Sequence, residues 1–209
     1  MKAPDRESGP RAYRMNARQE AVAATRERIL SAAYELWLES PYDQVSIDAV
    51  SKTAGVSRQT VIRHFGTKDE LAFAVADWQK PGEDALREAT PGDADGAIAK
   101  LLDRYETMGN ANIRMLELEG RVPAIDHLLT ISRAGHREWI ERTLIPGVTG
   151  DERLVLALYA ATDVTLWKLL RRDLGQSRTE TEATILRLVH GVLGGSPEKR
   201  SSESSAGKD

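Results

Sequence analysis

Residues 46–71, SIDAVSKTAGVSRQTVIRHFGTKDEL, constrain the fold of this chain more than any other stretch. Ala54, Gly55 and Val56 form a corner, with Gly55 the residue that tolerates positive φ. Ser46 caps a helix that ends near Thr53, and Ser57 is a good N-cap for a helix from Arg58 to about Phe65. That second helix turns Arg58, Gln59, Thr60, Arg63 and His64 outward and Val61, Ile62 and Phe65 inward. Thr67-Lys68-Asp69-Glu70 is a capping box, so a further helix starts at Lys68 and carries Leu71, Val75 and Trp78 on one side. Two helices joined by a short glycine-containing turn form a helix-turn-helix, a device that sets its second helix into a DNA major groove.

Helical spacing continues on both sides of this segment. Val22, Ile29, Ala32, Ala33 and Leu36 predict a helix that Pro41 ends, with Asn16–Gln19 or Thr25 as its start. Pro81-Gly82 is expected to break or kink the helix that opens at Lys68. Ile98, Leu101, Leu102, Tyr105, Met108, Met115 and Leu116 share a stripe of a long helix over 95–119. Pro123 opens another through about Arg133, followed by a shorter one over 136–144. Residues 152–173 read as one helix that is apolar nearly all round, with Asp163 and Lys168 the only charges between Leu154 and Leu170. Ser177-Arg178-Thr179-Glu180 is a second capping box, and Ile185, Leu188, Val189 and Val192 follow until Gly194-Gly195. No strand-like alternation occurs, so the expected class is all-α. The expected domains are a flexible N-terminal arm at 1–20, a helix-turn-helix head with its linking helix at 21–80, a helical ligand-binding and dimerisation body at 81–195, and a disordered tail at 196–209.

Composition excludes several classes of function. The net charge is −3, so the whole chain is not a basic nucleic-acid coat. The imbalance is local: residues 1–72 carry eleven Lys/Arg against ten Asp/Glu, and the remainder eighteen against twenty-two. A slightly basic end on an acidic remainder suits local DNA contact. The arm carries Lys2, Arg6, Arg11 and Arg14 against Asp5 and Glu7, and could reach phosphates or a minor groove. There is no cysteine, which removes disulfides and thiolate metal sites and fits a reducing cytoplasm. No apolar run is long enough to span a membrane, and the N-terminus lacks the apolar core of a signal peptide. His64, His127, His136 and His190 show no His-x₃-His or Glu-x-x-His pattern, so no metal or other cofactor is expected.

The outward residues of the second helix have the groups that read base edges. Arg reads guanine bidentately, Gln reads adenine, and the methyl of Thr60 can touch that of thymine, each bidentate pair giving roughly 1–3 kcal/mol of discrimination. His64 lies one turn on from Thr60. Lys68 stands at a helix N-terminus, where free amides and the dipole favour phosphate. Tyr42 and Ser46 are placed to do likewise. The expected partner is double-stranded DNA, contacted by Tyr42, Ser46, Arg58, Gln59, Thr60, Arg63, His64 and Lys68.

Together, TRERILSAAYELWLES at 25–40 and VSIDAVSKTAGVSRQTVIRHFGTKDEL at 45–71 resemble the tetracycline-repressor (TetR) family of transcriptional regulators, over about a quarter of the chain. The resemblance implies a three-helix DNA-binding head, a fourth helix linking it to a helical ligand-binding body, and a homodimer. It puts Thr60 and His64 at reading positions and Lys68 at the phosphate-binding start of the linking helix. Gln59, Ile62 and His64 depart from the family's frequent residues.

A helix that is apolar on all sides must be covered on all sides. That reasoning assigns Leu154, Leu158, Ala161, Ile185, Val189 and Val192 to a two-fold interface, which would present two reading helices to a near-palindromic operator. Gly109 and Asn112 interrupt the apolar stripe of the long helix and are expected to leave space and a polar handle. The expected walls of an effector pocket are Tyr105, Met108, Asn112, Met115, His127, Trp139, Tyr159, Asp163 and Trp167. The function expected is that of a cytoplasmic, ligand-responsive repressor. The alternatives are a helix-turn-helix regulator whose body is a protein-interaction module with no inducer, and a helical enzyme.

Overall fold

The structure is a computed structural model that describes residues 10–194, with side chains from residue 17. It divides into two units, Met1–Trp78 and Gln79–Asp209. The division falls two residues before the boundary expected at 80/81 and lies inside a helix. All the described elements are helical, without strands.

In the head, α1 spans Pro10–Glu39, a 3-10 turn spans Tyr42–Gln44, α2 spans Ile47–Thr53, α3 spans Arg58–Phe65, and α4 starts at Lys68. Residues 10–20 of the expected arm belong to α1. The first nine residues of that arm, the side chains of Arg11 and Arg14, and the 196–209 tail lie outside the described residues. Thr25 does not start a helix; its hydroxyl donates back to the carbonyl of Ala21, 2.8 Å away in mid-helix. Val22 is 50% exposed, so the buried stripe begins about two helical turns later, at Ile29. Ile29, Leu30, Ala33, Val45, Val50, Val61, Phe65, Leu71 and Val75 form the head core. Tyr34 meets Trp78 edge-on at 6.3 Å. Both capping expectations hold in α2 and α4. Ser46 Oγ accepts from the Ala49 amide, and Thr67 and Glu70 exchange side-chain bonds with each other's backbone amides. Pro81 does not end α4, which continues to Leu86.

The body is built from α5 (Ala94–Leu116), α6 (Pro123–Thr143), α7 (Glu152–Thr162), α8 (Val164–Lys168) running into a π turn at Leu169–Asp173, and α9 (Arg178–Gly194). Two elements differ from the sequence expectation. The helices expected at 123–133 and 136–144 are one. Ile125, Leu129, His136, Trp139 and Ile140 are all buried along α6, and that continuous face outweighs the helix-weakening Gly135. The helix expected over 152–173 is instead broken at Asp163, which leaves α geometry at ψ 148° and caps α8 by accepting from the Thr165 amide. The break frees the carbonyl of Thr162, and Tyr105 Oη donates to it at 2.9 Å.

The break also changes what covers the apolar residues. Leu154, Leu158, Ala161, Ile185 and Val189 lie in the body's own core with α5 and α6, and Val192 is packed against that core. The first five are therefore occupied within the body, which corrects their assignment to a two-fold interface, while Val192 is only half-buried. Gly109 is corrected too. A Cβ there would lie 2.4 Å from the Trp167 ring, so the glycine admits an indole instead of leaving a void. Trp167 is fully buried and donates from Nε1 to Glu106 Oε1, and the Arg171 guanidinium grips the same carboxylate at 2.7 and 2.8 Å.

We expect Gly109→Ala to lower the melting temperature. Alanine favours the helix by ~1 kcal/mol, but overpacking a tight contact costs ~1–3 kcal/mol, and the contact here is with a fully buried ring. A calorimetric scan showing unchanged or raised stability would refute the packing assigned to Trp167.

Candidate functional site

In the head, α3 is aimed by local geometry before any long-range contact. Gly55 takes φ +65°, the Val56 amide returns to Ser51 O at 3.0 Å, and Ser57 Oγ accepts from the Thr60 amide at 3.1 Å. Val61 is fully buried and Phe65 nearly so, while Ile62 is half-buried. The Arg26 guanidinium lies over the Phe65 ring, 4.5 Å from its centroid, a support from α1 that has no sequence signature. The opposite face of α3 is left for contact.

On that face Arg58, Gln59 and Arg63 are exposed, and Thr60 and His64 are half-buried. Thr60 Oγ1 lies 2.8 Å from Ser57 Oγ. Arg58 sits 3.3 Å from Asp48, with both side chains more than 60% exposed. A pair that exposed is worth ~0–1 kcal/mol and exchanges readily for another acceptor. Asp48 was not among the expected residues. Desolvation lowers the His64 pKa, with further lowering from the charges of Arg63 and Arg26, so the ring is neutral near pH 7 and can both donate and accept.

Three of the expected DNA contacts have internal work instead. Tyr42 is buried, and its hydroxyl donates to Asp69. Burial, then the bond and charge of Asp69, push its phenol pKa upward. Lys68 Nζ donates to the carbonyls of Tyr42 and Val45 at 3.0 and 3.2 Å and lies 4.3 Å from the Tyr42 ring centroid. Ser46 uses its hydroxyl as the α2 cap. These side chains pin the 3-10 turn to the start of α4, so they hold the surface beside α3. The Tyr42 hydroxyl and the Lys68 ammonium, both expected to meet phosphate, have these partners within the head.

The body holds a pocket of about 330 Å³. Of the expected walls it brings together Tyr105, Asn112, Met115, Tyr159 and Asp163. Trp139 and Trp167 are core residues, Met108 is half-buried outside the pocket, and His127 is exposed on α6. These four assignments are corrected. The residues not anticipated include Arg87, Arg104, Arg133 and His136. Arg residues scattered over a loop and two helices give no periodic signal; only the chain's folding collects them.

Their pairing is specific. Arg104 is bonded to Glu83, and Arg133 to Glu119 with one contact of 2.8 Å. Arg87 Nη2 instead donates to His136 Nδ1 at 2.7 Å. A guanidinium only donates, so Nδ1 is the acceptor, and His136 Nε2 carries the hydrogen toward Thr162 Oγ1 at 2.9 Å. Thr162 Oγ1 passes its own hydrogen to Leu158 O at 2.7 Å. Burial, then the charges of Arg87 and Arg104, push His136 down to about 3, which keeps the ring neutral. Among the described residues no three His, Asp or Glu side chains are grouped to hold a metal, and no helix is long and apolar enough to cross a membrane.

Residues 29–75 match the sequence model of the family described as bacterial regulatory proteins, tetR family. Over 85 residues, 41% of this chain, the sequence is 32% identical to the HTH-type transcriptional repressor Rv1474c of Mycobacterium tuberculosis, and the match spans 43% of that protein's length. The fold is similar to that of a transcriptional regulator from Rhodococcus sp. Rha1, with a TM-score of 0.62 at 22% identity, covering 81% of this chain and 96% of the other. It is also similar to the multidrug binding protein EbrR solved in complex with imidazole, with a TM-score of 0.55 at 20% identity over 90% and 97% of the two chains.

The histidine makes a pH prediction. Its folded pKa lies below the ordinary 6.5, so the unfolded chain binds a proton that the folded chain refuses. That stability is present above pH ~6.5 and is lost as pH falls toward about 3. His136→Gln keeps an acceptor for Arg87 and a donor for Thr162 without titrating. Urea midpoints between pH 7.5 and 4.5 should fall less steeply for His136→Gln than for wild type; equal slopes would contradict the assignment.

Proposed function

We propose that this chain, a member through its residues 29–75 of the tetR family of bacterial regulatory proteins, is a cytoplasmic transcriptional repressor that binds a near-palindromic operator as a homodimer and is released by a small molecule. The observation that carries this reading is α3: eight residues held by a buried Val61 and Phe65, with Gln59 and Arg63 left in solvent on the other side. Those two side chains, with Arg58 and Thr60, have the donors and acceptors that distinguish base pairs. The ligand-responsive part rests on the body pocket and draws support from the imidazole complex of a protein with a similar fold.

The homodimer rests on apolar surface that one subunit does not cover. Leu156 on α7 is 56% exposed and Leu188 on α9 is 44% exposed, and α7 and α9 pack against each other. They replace the five buried residues as the centre of the proposed two-fold interface, with the half-buried Val192 kept beside them. A second copy covering this pair places two α3 helices on one duplex, with half-sites ~10 base pairs apart or a multiple of that. The variant reading, a body that docks another protein and has no inducer, predicts DNA binding that no small molecule reverses.

Selection of bound sites from a random duplex pool is expected to return an inverted repeat; a pool without enrichment contradicts the reading. Arg63→Ala should weaken binding to the selected site by ~1–3 kcal/mol and leave the melting temperature unchanged. Sedimentation at micromolar concentration should find a dimer in wild type and a folded monomer in the double variant Leu156→Arg, Leu188→Arg. A dimer that survives both substitutions places the interface elsewhere.

A further inference from the structure

We propose that the body pocket takes a small organic monoanion, a carboxylate on an apolar body, and that Arg87 is the residue that clamps the carboxylate. This rests on the effector-pocket reading above and adds the ligand's chemical class.

The argument is a charge inventory of the pocket wall. Three guanidinium groups line it, and two of them are neutralised by carboxylates of the chain, Arg104 by Glu83 and Arg133 by Glu119. Among the described residues Arg87 forms no ion pair. Its bonded partner is the neutral His136, and its face rests on the Trp139 ring, 4.7 Å from the guanidinium carbon. Its Nε is shut off from solvent with no hydrogen-bond partner. Burial lowers the pKa of Arg87 to about 10, which leaves it charged at neutral pH. Glu83 and Asp84 act on it only from beyond ion-pair distance, with less effect than its burial, and a buried charge without a direct partner is destabilising. An arriving carboxylate supplies both the charge and the planar pair of acceptors that a guanidinium fork fits.

The other walls set the rest of the ligand. Tyr105, Tyr159, Met115, Leu116, Leu129 and Val164 supply aromatic and aliphatic surface for a hydrophobic body. One uncompensated cation matches one negative charge, which favours a carboxylate over a doubly charged phosphate monoester. Asp163 is the one acid on the wall. Its Oδ1 accepts from the amide and hydroxyl of Thr165 at the start of α8, where the helix dipole also balances it. One of its two oxygens is therefore committed to the cap, and the amine probe below tests whether its remaining charge recruits an ammonium group.

The test uses three probes of one shape, 3-phenylpropanoate, its primary amide and 3-phenylpropylamine, titrated calorimetrically into the full-length protein. The carboxylate should bind roughly tenfold or more tightly than the amide, the size expected for charge-assisted hydrogen bonds, and the amine should not bind. Arg87→Met should erase the difference between carboxylate and amide. Should that variant not fold, Arg87→Lys, which keeps the charge and loses the fork, should weaken the carboxylate yet keep it ahead of the amide. Ser132→Trp, at an exposed position on the pocket rim, should block every probe that binds there. If the amide or the amine binds best and Ser132→Trp blocks it, the pocket stands and the anion assignment falls. If the carboxylate binds and Ser132→Trp leaves it unchanged, the pocket reading itself falls. Binding by none of the probes also overturns the proposal.

Discussion

An eight-residue helix has no stability or direction of its own in water; it is too short to offset the entropy of forming its first turn. The aim of α3 therefore depends on burying Val61 and Phe65 in the core that α1, α2 and α4 share, and everything proposed for the head follows from that contact. Burial on one side fixes which residues are exposed on the other. The Gly55 elbow and the Ser57 cap set where the helix begins, and Arg26 over Phe65 steadies its far end. The neighbouring turn is held separately, by Lys68 donating to two carbonyls and by Tyr42 donating to Asp69. These polar ties fix the frame around the helix proposed to read DNA.

The body solves a different problem with the same means. Its centre is an indole seated where α5 has no side chain, with Glu106 satisfying the indole nitrogen and the Arg171 fork. That arrangement draws a lowered pKa of about 2 at Glu106, chiefly from its hydrogen bond with Arg171. Next to this well-satisfied cluster lies a pocket whose polar groups are not fully matched. The chain Arg87–His136–Thr162–Leu158 is ordered and directional, and among the described residues it begins with a guanidinium that has no carboxylate within ion-pair distance.

Much of the head is legible in the sequence because its signals are local. Capping at Ser46, Ser57 and Thr67, the glycine corner, and the inward positions of α3 involve residues within four of each other. The body is less legible because its decisive contacts are long-range. Asp163 reads as one charge inside an apolar helix, but the Tyr105 hydroxyl, from another helix, takes up the carbonyl that the break releases. Gly109 reads as empty space because its occupant, Trp167, lies far along the chain. An all-round apolar helix suggests a partner subunit, and here α5 and α6 of the same subunit provide the cover. The basic pocket wall is invisible for the same reason. Lys68 and Tyr42 show the same limit from the other side: their partners within the head come from elements more than twenty residues away.

The central claim is that α3 touches duplex DNA while the α7–α9 face meets a second copy. Photocrosslinking from single positions in the full-length protein tests it most directly. A photoreactive side chain at 63 should crosslink to a selected duplex, and one at 188 should crosslink to a second protein chain and not to DNA. Failure of position 63 to capture the duplex, while a position in the body captures it, would contradict the account.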